Sequence, residues 1–72
     1  MEIRYSTHAL QRMRKRRVRE EHIRFTLESG EFIGYSDDGV GELWQARILR
    51  RRIGVVVEWL SDSVALVRTV WG

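Results

Sequence analysis

The chain has 72 residues and a mass of 8.6 kDa, enough for one small domain over residues 1–72 and not for two. It has no cysteine, which excludes a disulfide scaffold, and its two histidines and scattered acids lack the spacing of a structural zinc site, so no metal and no cofactor are expected. Thirteen Lys and Arg against ten Asp and Glu give a net charge of +3 and a pI of about 10.2, a balance that points to a polyanion as partner.

No run approaches the roughly 18 apolar residues of a membrane span, and the charged N-terminus lacks the apolar core of a secretion signal. The expectation is a cytoplasmic protein with no membrane partner. Residues 2–6, EIRYS, alternate weakly and predict a short edge strand. Ser6 or Thr7 then offers a side-chain oxygen to the amides that a first helical turn leaves unpaired, and a helix is predicted over Thr7–Arg16. Ala9, Leu10 and Met13 form its narrow apolar stripe, while His8, Arg12 and Arg16 recur at i, i+4 and i+8 on a neighbouring face.

A second helix is predicted over Arg19–Ser29. Glu20 and Glu21 sit in its first turn, where the dipole favours negative charge, and Gly30 stands at its end. Ile23 and Leu27 set its buried side. From residue 31 the texture changes to strand: EFIGYS, then a turn at DDGVG, then the apolar runs ELWQARIL, IGVVVEWL and VALVRTVW. A turn at Arg51–Arg52 would pair Ile48 with Val55, Ala46 with Val57 and Trp44 with Trp59, leaving Gln45, Arg47, Val56 and Glu58 on the opposite face. A three-residue loop at SDS places Arg68 on that second face, and a loop one residue different turns it inward. These elements predict an α+β domain, two N-terminal helices packed on one face of a three- to four-stranded antiparallel sheet.

Charge is unevenly spread. Residues 12–19, RMRKRRVR, hold six cations and no acid. Arginine's planar fork matches phosphate better than a point charge does, so Arg12, Arg14, Lys15, Arg16 and Arg17, with Arg47 from the sheet, are the candidate nucleic-acid contacts. The competing reading is a solvated helix face. A histidine near a helix start equally serves as a capping or packing residue, and Trp44, Trp59 and Trp71 read as packing rather than as base-stacking platforms. Glu58 doubles as a cross-strand partner for Arg47 or Arg68.

The segment YSTHALQRMRKRRVREEHI resembles the N-terminal signature of a small uncharacterised bacterial domain family. Its His-Ala-x-x-Arg-Met-x-x-Arg pattern is met by His8, Ala9, Arg12, Met13 and Arg16. Arg17 stands where that family usually has a glycine turn, and Arg19 where a serine would cap the second helix. The order of helices and sheet is also similar to the RelE and ParE toxins, small basic proteins that cut RNA or bind gyrase and are held inactive by an antitoxin. That resemblance implies a RelE/ParE-like fold and a toxin-like, metal-independent endoribonuclease, with RNA as substrate and an antitoxin as a further partner. Of the proton carriers His8, His22, Glu58, Tyr5 and Tyr35, His8 is the one best placed, beside the cationic track that Arg12 and Arg16 begin. The expected catalytic set is His8, Arg12, Arg16, Glu58 and Arg68, the arginines stabilising charge on the phosphorane. The alternatives are a module that holds RNA or DNA by its phosphates without chemistry, and a ParE-like protein-binding toxin.

Overall fold

A computed structural model describes all 72 residues. In chain order the elements are β1 (Glu2–Tyr5), α1 (Thr7–Arg16), α2 (Glu20–Ser29), β2 (Glu31–Tyr35), β3 (Glu42–Ile48), β4 (Arg51–Ser61) and β5 (Val64–Trp71). The strands form one sheet in the order β1-β5-β4-β3-β2. This corrects the expected three- to four-stranded antiparallel sheet: there are five strands, and the sheet is mixed because β1 runs parallel to β5, from Glu2 opposite Val64 to Tyr5 opposite Val67. Turn signals reveal only hairpin neighbours. A parallel pair is closed by a long crossover, here everything from α1 to β4, and leaves no local mark in the sequence. The α+β class holds.

Why α1 begins where it does is visible at Ser6. Its Oγ accepts from Ala9 N at 3.0 Å and donates to Arg68 O at 2.9 Å, while Ser6 N donates to Val67 O at 3.0 Å. One residue therefore caps the helix and pins its start to β5. At the far end, Arg51 of β4 donates to the carbonyls of Arg16 (2.6 Å) and Arg17 (3.0 Å). The helix thus lies alongside β5 beyond the point where β1 stops. It ends in a Schellman arrangement, with Arg17 N donating to Arg14 O and Val18 N to Met13 O. Arg17 takes the left-handed position of that motif, φ 55 and ψ 44, which is normally glycine's. The Arg19 side chain, at the N-cap of α2, has no acceptor to offer the first-turn amides. The Arg19 carbonyl accepts from His22 N at 3.0 Å and Ile23 N at 3.2 Å, while His22 Nδ1 accepts from Arg19 N at 3.1 Å.

The helices bury Ala9, Val18, Ile23 and Leu27 against Ile53, Val55, Val57, Ala65, Val67 and Val70 on one face of the sheet. Each fully buried Val or Ile contributes about 1.5–3 kcal/mol. Thr26, buried among them, donates to His22 O at 2.7 Å. No helix is long and apolar enough to cross a membrane.

The β3–β4 register differs from expectation. The turn is Leu49–Arg50, so Ile48 faces Arg51, Ala46 faces Ile53 and Trp44 faces Val55. The shift is by an even number of residues, so Gln45, Arg47, Val56 and Glu58 still share the face away from the helices. The turn escaped notice because Leu49 fills a left-handed position, φ 57, where Gly, Asn or Asp normally advertises a hairpin. Trp44 and Trp59 are not opposite one another. They meet through Glu42, whose Oε1 accepts both indole N–H groups at 2.9 Å. The β4–β5 connection spans only Asp62 and Ser63, and Arg68 is left as an unpaired bulge residue between Val67 and Thr69, which face Val57 and Val56.

Candidate functional site

The bulge decides what Arg68 can reach. An extra residue bends a strand and re-aims its side chain, and here the guanidinium lies on the open side of the sheet near Val56. His8 from the first turn of α1, Ser36 and Asp38 from the β2–β3 loop, Val56, Arg68 and Thr69 line one cleft of about 430 Å³. Across it Arg68 donates to Asp38 twice, Nη2 to Oδ2 at 2.9 Å and Nη1 to Oδ1 at 3.4 Å. Asp38 Oδ1 also accepts from Ser36 Oγ and from Val40 N at 3.0 Å. The Arg68 hydrogen bond, followed by those of Ser36 and Val40, holds the Asp38 carboxyl well below the usual carboxylate range. Arg68 is correspondingly raised, first by its bond to Asp38 and least by the charge of Glu58.

Of the expected catalytic set, His8 and Arg68 are brought into the same cleft, and Glu58 stands close enough for its charge to act on Arg68. His8 is exposed, and its imidazole makes no side-chain hydrogen bond within the protein. Arg12 follows one turn along α1; it is half-buried, and its Nε is buried with no partner. Arg16 lies a further turn on, exposed. Arg47 is not part of this cleft: it sits directly opposite Arg52 at the other end of the sheet, in a hollow with Gln45 and Glu31. Two other proton carriers are engaged elsewhere. Tyr5 donates to Glu20 at 3.2 Å, and burial, reinforced by the Glu20 carboxylate, pushes its hydroxyl up to about 12. His22 is the acceptor for Arg19 N.

Four cations, Arg4, Arg19, Arg24 and Arg68, lie within 4 Å of a carboxylate. The other nine of the thirteen do not. All nine occupy two segments: Arg12, Arg14, Lys15, Arg16 and Arg17 on α1 and its cap, and Arg47, Arg50, Arg51 and Arg52 around the β3–β4 turn. The bonds from Arg51 to the end of α1 make these two segments neighbours. Arg47 and Arg52, placed opposite each other, repel, and Glu31 lines the same hollow without coming within 4 Å of either. The sequence reading named Arg47 but missed Arg50, Arg51 and Arg52, although the run Leu-Arg-Arg-Arg at residues 49–52 was their signal. It also missed Asp38, read only as part of a turn.

The architecture is that of a small α+β domain whose edge helix carries unpaired cations beside a histidine–arginine cleft. The chain belongs to the family described as Domain of unknown function (DUF4258), which matches residues 5–71 and so takes in all but the start of β1. No curated protein and no solved structure matches it.

Proposed function

We propose that this protein binds nucleic acid, RNA foremost, by its phosphates. The observation that carries the reading is the gathering of nine carboxylate-free cations on α1 and the adjoining β3–β4 turn. Eight of the nine are arginines, whose forks bind phosphate bidentately. The test is anisotropy of a labelled single-stranded RNA over a range of salt. The logarithm of the association constant should fall with the logarithm of salt at about 0.7 per phosphate engaged. Exchanging Arg14 and Arg16 for Glu should flatten that slope, and a slope near zero in the parent protein would refute the reading.

A second reading, RNA cleavage of the RelE type, is favoured by one feature, the meeting of His8 and Arg68 in a single cleft. With a phosphodiester there, His8 takes the 2′-hydroxyl proton and the 2′-oxygen attacks phosphorus. Arg12 and Arg68 stabilise the phosphorane, and the 5′-oxygen leaves with a proton from water, giving a 2′,3′-cyclic phosphate. Incubation with RNA should yield that product, and His8→Ala should abolish it with binding retained. In a toxin-like setting the cations of α1 and its cap are where an acidic antitoxin would dock.

A further inference from the structure

Leu49 is 93% exposed and holds φ at 57. An exposed leucine alone is ordinary, but with this φ it is a side chain that neither packs nor suits its backbone. Leucine in the left-handed region is strained, while glycine or asparagine would sit there without cost and keep the turn soluble. An outlier of this kind points to a function at that position. Its surroundings say which. Arg50 follows it in the turn, and Arg17, Arg19 and Arg51 line the cleft that Leu49 also lines. Arg51, next to the turn, donates to the last carbonyls of α1.

We propose that the β3–β4 turn is a wedge: Leu49 enters between two stacked bases while the arginines beside it hold the phosphates on either side of the opened step. This deepens the nucleic-acid reading and rests on it. A lone leucine removes too little apolar surface from water to hold a lipid bilayer, where even a whole acyl chain anchors marginally. A single aliphatic side chain suffices to unstack a base step when cationic neighbours hold the backbone. A two-stranded ribbon is also narrow enough to approach bases from a groove.

The probe is a hairpin carrying 2-aminopurine in its stem, made once as RNA and once as DNA, since a stacked step flanked by phosphates is common to both. The wild-type protein should raise the fluorescence several-fold on binding, and the arm that responds names the nucleic acid. Leu49→Asn and Leu49→Gly should abolish the rise while keeping the salt dependence, and should melt no lower than the parent, because the turn then holds a residue suited to it. Binding with unchanged fluorescence, or an equal rise in the Asn variant, would overturn the wedge and leave phosphate binding standing. Loss of salt-dependent binding to both hairpins by the wild type would remove the nucleic-acid reading itself. Co-sedimentation with phosphatidylserine vesicles that depends on Leu49, without any hairpin response, would assign the tip to a lipid surface and refute the proposal.

Discussion

Arg68 grips Asp38 through both terminal nitrogens, at 2.9 and 3.4 Å, across the cleft that His8 lines. A carboxylate in that fork sits as a phosphate would, so the β2–β3 loop competes with any anion for Arg68. Asp38→Asn should therefore tighten phosphate or RNA binding, and the gain should shrink as salt rises. Equal affinities for parent and variant would show that Arg68 takes no part. The pair also has an acid signature. A depressed folded pKa contributes stability that is complete above the unfolded value of about 3.9 and is lost as pH falls toward the folded one. Carbon-13 shifts of the Asp38 carboxyl should still report the ionised form at pH 3, and titration near the ordinary value would contradict the latch.

How much of this was legible beforehand differs by element. The bounds of helix α1 were readable, because Ser6 and the basic last turn agree on its limits, while Leu10, read as part of its apolar stripe, is exposed. The mixed sheet was not, since the pairing of Ile3 with Ala65 depends on the whole chain between them. The His8–Arg68 meeting was foreseeable only in part. Which face Arg68 takes was left to the length of the SDS loop, whereas the structure settles it with a bulge, and a bulge carries no composition signal when no glycine marks it.

Arg17 tests how far this surface is kept at the expense of stability. Its left-handed position, φ 55, costs a non-glycine residue about 1–2 kcal/mol. Arg17→Gly should raise the melting temperature by about 4–8 °C per kcal/mol recovered. The same change should lower the salt slope of single-stranded RNA binding by about 0.7, the share of one phosphate contact. A variant that melts lower would mean that the arginine stem packs usefully against the Schellman turn.

The Tyr5–Glu20 bond, 3.2 Å, predicts an alkaline transition. Burial and the neighbouring carboxylate raise the Tyr5 hydroxyl to about 12. Because the folded value lies above the unfolded one of about 10, the contribution is whole below pH 10 and is lost as pH climbs from there toward 12. Phenolate absorbance should show one late-titrating tyrosine, and Tyr5→Phe should delete that step. If the late step survives the substitution, the assignment to Tyr5 is wrong.

Gly54 offers the sharpest packing test. The Trp71 indole covers it so closely that a Cβ there would lie 1.8 Å from Cε2 and 2.0 Å from Cζ2. These are overlaps that no rotamer change at an alanine relieves, so the ring itself must move. Overpacking of this kind costs about 1–3 kcal/mol, occasionally more, and β4 is central in the sheet, with β5 and β3 on its two sides. Gly54→Ala should therefore melt lower and expose Trp71, shifting its emission to the red. The cost should fall sharply when Trp71 is already alanine, because the clash is then absent, and the double-mutant cycle should return a coupling of about 0.5–3 kcal/mol. Additive losses would place the penalty in the strand backbone instead.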